Sequence, residues 1–402
     1  MAITRVTTDG ITDNAVSTAK IGANAVDTTK IGADVIVADD IANNAITVSQ
    51  ISDGAVTTAK LDSSIVSGLN SITKSNTAPS SPSNGDFWYD LDDFAFKFYD
   101  GTTWQVIKSA FSATGGTVSD AGGYRYHQFN SSSNFVVSKG SVIVEYIIVA
   151  GAGGAAGGDY ATGGGGAGAG GVLYGSTTVT TNTYAITVGA GGASVSAFAA
   201  NNGNNGSNST ALGLTAIGGG HGAGYPNNPS EAGGSGGGGS WPITLSGSAG
   251  TAGQGYAGGS HDNSNTSGGN PRVGAGGGGA TEVGESWNSG AITGSGGEKR
   301  GGDGGDGYTW LNGTTYGGGG GGGAADWTDP PSGGYLRAGN GGAGGGGNGR
   351  YVAGQGSPLP GTDGSANTGG GAGGSSLNGG SAAQSINTAA GGSGVVIIRY
   401  AI

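Results

Sequence analysis

Residues 147–158 read IIVAGAGGAAGG, an apolar run that ends in Gly-x-Gly-x-x-Ala. In that pattern a strand and a tight turn deliver a pyrophosphate to the N-terminus of the next helix, and an acid about 20 residues on holds the ribose. The flanks do not supply those parts. After Gly151, Gly153 and Ala156 come Asp159, Tyr160 and the stretch ATGGGGAGAGG, where each glycine costs a helix about 1 kcal/mol relative to alanine. No Asp or Glu stands between Asp159 and Glu231. With 97 glycines in 402 residues, such a spacing also arises by chance, so no nucleotide or other cofactor is expected.

Three further groups of residues have the types for chemistry. Asp90, Asp92 and Asp93 could pair as acid and base for glycan hydrolysis, but they fall in a tight aromatic hairpin and read as a solvated turn. Asp303 and Asp306, in GGDGGDGYT, fit a nonapeptide calcium turn; that site needs tandem copies to complete its coordination, so a single copy reads as a polar loop. His127, His221 and His261 are scattered along the chain, and no metal site is expected from them. The chain is therefore expected not to be an enzyme.

Charge and cysteine usage narrow the partners. The formal net charge is −11, and no Lys or Arg occurs from Gly140 to Pro271, which argues against phosphate or nucleic-acid binding by that region. Cysteine is absent, so the fold uses no disulfide. The start MAITRVTTDG carries no apolar signal segment, and no apolar run approaches the about 18 residues of a membrane span.

The elements that position these residues are dominated by glycine. Of the 97 glycines, 85 follow residue 150. That density is collagen-like, but runs such as Gly317 to Gly323 break any third-residue register, and prolines number only 10. A disordered linker is the ordinary alternative for such a composition. Against it stand aromatic rings planted between the runs: Tyr225, Trp241, Tyr256, Trp287, Tyr308, Trp310, Tyr316, Trp327, Tyr335 and Tyr351. Polyproline II segments turn their N–H and C=O groups outward, and glycine segments in that conformation can approach until backbone bonds to backbone. The expectation is an ordered glycine-helix slab over 151–392.

Strand signals frame the slab. SVIVEYIIVAG at 141–151, TYAITVGAGG at 183–192, LGLTAIGGG at 212–220 and SGVVIIRYAI at 393–402 are rich in β-branched residues. The last needs an earlier strand as partner, since a lone apolar strand leaves an open edge. Together they predict a β-sheet foundation.

Before residue 71 the pattern changes. The chain aligns in tens, with Ile11, Ile21, Ile31, Ile41, Ile51 and Leu61 in one column and Val16, Val26, Ile36, Ile46, Val56 and Val66 in another. Ten residues turn an α-helix by about 280 degrees, so no helical face repeats, whereas an even period suits β-structure. Two apolar anchors per repeat make a core only when chains share an axis. The prediction is a trimeric stalk over 1–70 with Ile11, Val16, Ile21, Val26, Ile31, Ile36, Ile41, Ile46, Ile51 and Val56 on that axis; the alternative is a solvated linker. Residues 71–110, with GDFWYD and YDGTTW, read as a small β-module in which Trp88 and Trp104 are core.

The decapeptides, the GDFWYD and YDGTTW module, and GYRYHQFNSSSNFVVSKGSVIVEYIIVAGAGG with GGSGVVIIRY resemble tail-fibre proteins of tailed bacteriophages, in particular those of marine cyanophages. Residues 111–402 are similar in style to phage adhesins built from polyglycine II sandwiches. The resemblance implies an all-β and polyglycine II protein. It would be an elongated homotrimeric fibre of the virion, joined to phage tail or adaptor proteins at its N-terminus and ending in a glycine-rich sandwich tip. The implied function is non-enzymatic recognition of a host-surface glycan or outer-membrane protein; the alternative is a purely structural fibre or connector. Receptor contact is expected on the loops between glycine runs, through Tyr225, Trp241, Trp287, Trp310, Trp327 and Tyr335, with Asn227, Asn228, Glu231, Asp326 and Arg337 as hydrogen-bonding neighbours. The same rings could instead pin the loops to the slab.

Overall fold

The computed structural model describes residues 72–93, 95–107, 111–156, 162–197, 202–224, 229–241, 246–261, 272–287, 299–325, 336–352, 360–377 and 387–402, with Ile21, Gly22, Ala25, Thr29, Ile51, Val56, Thr57 and Lys60 before them. The described residues are all-β, with no α-helix. The chain divides into two compact units, Met1–Ile107 and Lys108–Ile402. Of the predicted stalk axis only Ile21, Ile51 and Val56 fall among the described residues, and in the single chain all three are exposed. Ile11, Val16, Val26, Ile31, Ile36, Ile41 and Ile46 lie outside them.

The aromatic module of the first unit is a four-stranded sheet: β1 (Thr73–Ser75), β2 (Phe87–Asp90), β3 (Ala95–Tyr99) and β4 (Trp104–Val106), in that order. Trp88 is buried and meets Trp104 edge to face at 5.4 Å, so the reading of Trp88 as core holds, whereas Trp104, on the last strand of the sheet, is only half-buried. The turn in YDGTTW is closed by Asp100, whose Oδ1 accepts from the Thr102 and Thr103 amides at 2.9 and 2.8 Å. Gly101 beside it has φ +95°, where a side chain is strained.

The foundation sheet of the second unit contains β5 (Ser112–Thr114), β6 (Thr117–Ala121), β7 (Tyr124–Phe129), β8 (Ser133–Val149), the long strand Val172–Ile186 and the C-terminal strand Val395–Ala401. The order is Val172–Ile186, β8, Val395–Ala401, β7, β6, with β5 also on β8. The terminal strand thus lies between two earlier ones, with Ile398 opposite Tyr146 and His127. The strand expected at 183–192 instead begins at Val172, because threonines such as Thr177, Thr178, Thr180 and Thr183 suit a pleated strand without an apolar run.

Alternation along these strands feeds two cores. Val144, Ile148, Val396, Ile398 and Tyr400 join Phe129, Phe135 and Val179 on one face, covered by the hairpin Ser209–Ala211 and Leu214–Ala216. Ile147, Val149, Val395 and Ile397 form the other, covered by Trp310 and Tyr316. A sheet buried on both faces needs continuous apolar strands, which VVIIRY supplies. His127 is fully buried in the first core. A ring nitrogen lies 2.7 Å from the Gly115 carbonyl, and the ring stacks on Tyr400. Burial holds its pKa below the ordinary histidine value.

The glycine runs carry almost no side chain to bury, and their order comes from backbone bonds between runs distant in sequence. In the run 164–171, the amides of Gly165, Gly168 and Gly171 donate to Ala223, Gly220 and Ile217. Those of Gly166 and Ala169 donate to Ala275 and Gly278, and those of Gly164, Ala167 and Gly170 to Ser375, Ala372 and Gly369. The partner run changes at each residue and returns at every third. The carbonyls repeat the rule: Gly164 and Ala167 accept from Gly323 and Gly320, Gly166 and Ala169 from Gly238 and Ser235, Gly168 and Gly171 from Gly153 and Ala150. One run therefore bonds six others. Gly318–Gly323 does the same, donating in turn to Gly344, Gly305, Ala167, Gly347, Gly302 and Gly164. Such close approach explains the composition: a Cβ added at Gly320 would overlap the Ala372 carbonyl. Where a gap exists alanine fills it, as in the cluster Ala155, Ala167, Ala372 and Ala389.

Candidate functional site

The residues with catalytic or metal-binding types are used to finish the backbone. Asp90 Oδ1 accepts from the Asp92 and Asp93 amides, while Lys97 Nζ sits 2.7 Å from both Asp90 Oδ2 and Asp93 Oδ2. The Lys97 hydrogen bond keeps the Asp90 carboxyl below its ordinary pKa, the reverse of the raised value a general acid needs. Asp303 and Asp306 cap the rim of the glycine array: their Oδ1 atoms accept from the Asn340 and Ala343 amides at 2.6 and 2.8 Å. Glu285 in turn accepts from the Asp303 amide, and Arg300 pairs with the Asp303 carboxylate. Among the described residues no three His, Cys, Asp or Glu side chains gather as a metal cluster.

The rings expected at the receptor surface divide into three groups. Trp310 sits in the tight hairpin of Tyr308–Thr309 and Thr315–Tyr316 and is only 3% exposed. It packs with Ile147, Val149 and Ile397, meets Tyr126 edge on at 6.4 Å, and has the Arg399 guanidinium 5.7 Å from its ring centre. Arg399 is fixed by Glu145 at 2.8 Å and by the Tyr126 hydroxyl at 2.9 Å. Trp287, 8% exposed, stacks on His261 at 5.0 Å and packs with Val273, Ala324 and Leu336. Both rings pin loops to the scaffold. Trp241 is half-buried with the Arg272 guanidinium 4.5 Å from its ring. Tyr225, Trp327 and Tyr335 lie outside the described residues, as do Asn227, Asn228 and Asp326, whereas Glu231 and Arg337 are exposed.

A different set of rings lines a concave surface. A groove of about 580 Å³ runs between the start of the strand Val172–Ile186, the stretch 249–257, and residues 280–283, with Tyr308 at its wall. Tyr174 is 53% exposed and Tyr256 48%. Tyr174 lies flat on Tyr308, with ring centres 4.0 Å apart and planes 6° apart. One face of Tyr174 is thus covered. Val283, also exposed, continues the apolar lining, and the Thr281 hydroxyl donates to the Asp306 carbonyl. Burial raises the Tyr308 phenol above its ordinary pKa, with Tyr174 adding to the shift. Tyr256 and Tyr308 stood out in the sequence only as members of a scattered aromatic set, and Tyr174 lay in a segment with no strand signal.

No curated protein shows significant similarity to the chain. A family model described as a glycine-rich domain matches residues 127–401, from the middle of β7 to the end of the C-terminal strand. That span holds most of the foundation sheet and every glycine run of the array, and it is well over half of the chain; the chain belongs to this glycine-rich domain family.

Proposed function

We propose that this chain is a non-enzymatic tail-fibre protein of a tailed bacteriophage, whose glycine-rich domain is a polyglycine II sandwich that displays host-recognition loops. The observation that carries the reading is the hydrogen-bond pattern of runs such as 164–171 and Gly318–Gly323, where each residue addresses a new neighbour and every third returns to the same one. A threefold extended helix of about three residues per turn, with its amides directed outward, produces that rule. A body held in this way is rigid, and loops carry recognition when a rigid scaffold positions them. The exposure of Ile21, Ile51 and Val56 in one chain supports a homotrimeric stalk, because three such chains would bury these residues on a common axis. Phage tail or adaptor proteins at the N-terminus and localisation in the virion belong to the same reading.

Fluorescently labelled full chain, incubated with a panel of bacteria that includes cyanobacteria, should adhere to a narrow set of strains and block phage adsorption to them. Adherence to none would favour the structural-connector reading. That reading has its own support, since Trp310 and Trp287, two of the rings predicted to contact a receptor, are spent on packing.

A further inference from the structure

We propose that the groove framed by Tyr174, Tyr256 and Tyr308 is a binding site for a neutral saccharide. This rests on the recognition reading above and deepens it by naming a site and a ligand class. The groove is concave and of a size for a few sugar rings, about 580 Å³. Its lining carries exposed aromatic residues: Tyr174, which Tyr308 backs at 4.0 Å, and the half-exposed Tyr256. Planar rings bury large area at low entropic cost and combine an apolar body with a polar tip, which matches the apolar face and hydroxyl rim of a pyranose.

Charge selects among saccharides. The lining contains no Asp, Glu, Lys, Arg or His. In a chain of net charge −11, an uncharged groove offers an anionic polymer no counter-charge and a cationic one no anchor. A neutral polyhydroxyl ligand is the class that leaves no charge uncompensated on entering. The stacked pair also holds Tyr174 in place before a ligand arrives, which lowers the cost of binding.

The test uses full chain, wild type and Tyr256→Ala, with Tyr174→Ala as a second variant, on strains to which wild type adheres. Tyr256 is exposed, so its variant should melt at the wild-type temperature. Adhesion should disappear after periodate treatment of the cells, persist after protease treatment, and weaken at least about tenfold in either variant. Unchanged adhesion of both variants would overturn the assignment, as would adhesion abolished by protease and indifferent to periodate, which would mark a protein receptor. If wild type adheres to no strain, the recognition reading fails by itself. Calorimetric titration with maltohexaose and cellohexaose then decides the groove: saturable binding that Tyr256→Ala abolishes supports the site, and no binding of either sugar overturns it.

Discussion

The foundation sheet and the glycine array occupy one compact unit and solve the folding problem in opposite ways. In the sheet, Ile147, Ile148, Val396, Ile397 and Ile398 are removed from water, so stability scales with apolar area, about 25 cal/mol per Å². In the array there is little side chain to bury. Its stability comes from backbone amides paired one by one with other runs, each bond worth about 1 kcal/mol net, against the large conformational entropy that glycine loses on ordering. The sheet is thus sensitive to what is removed and the array to what is added.

The largest break in that comparison should come from Gly320→Val. The new Cβ overlaps the Ala372 carbonyl and crowds the Ala167 amide, and both are backbone groups that other runs hold in place. The expected cost is about 5 kcal/mol or more, read as loss of the cooperative melting transition and of protease resistance. Next is Trp310→Ala, which deletes a buried ring between the sheet and its covering hairpin and leaves Arg399 without one aromatic partner. About 3–5 kcal/mol should be lost in denaturant unfolding.

A smaller effect is set by pH. His127 is buried with a lowered pKa, so below about 6.5 the unfolded chain takes up a proton that the folded chain refuses. Stability should fall as pH drops from 7 to 5, and His127→Phe should flatten that slope. The variant should keep the loss below about pH 4, where the unfolded chain protonates Asp90 and Asp120 while hydrogen bonds to Lys97 and Arg125 keep both carboxyls ionised in the folded chain. Melting temperatures across that range give both slopes. The smallest effect sharpens the comparison from the other side. Gly164 lies in the neighbouring run 164–171, but a Cβ there would meet its nearest atoms at 3.5 Å. Gly164→Ala should therefore shift stability by less than about 0.5 kcal/mol.

Much of this was legible in the sequence, and for identifiable reasons. VVIIRY and VIVEYIIV announce buried strands because β-branched runs have few alternatives, and Trp88 announces a core within a dense aromatic hairpin. The strand from Val172 was hidden because its threonines carry no apolar alternation. Pairing partners of the glycine runs were illegible for a deeper reason: identical residues cannot encode which run faces which, and that choice is made by rims such as Asp303 and Asp306 reaching Asn340 and Ala343. The roles of Trp287 and Trp310 were ambiguous because a ring between glycine runs serves equally as an anchor or as a contact. The groove of Tyr174, Tyr256 and Tyr308 joins segments spread along the chain from Val172 to Tyr308, which spacing alone does not reveal.

The central claim, that the glycine runs are ordered by backbone bonds, is tested most directly by residue-resolved hydrogen exchange on the native chain. The amides of 164–171, 274–280 and Gly318–Gly323 should exchange as slowly as those of Ile147 and Ile148, because each donates to a neighbouring run or strand. Exchange of those glycine amides at the rate of an unstructured peptide, with the sheet still protected, would contradict the account and make the tract a linker.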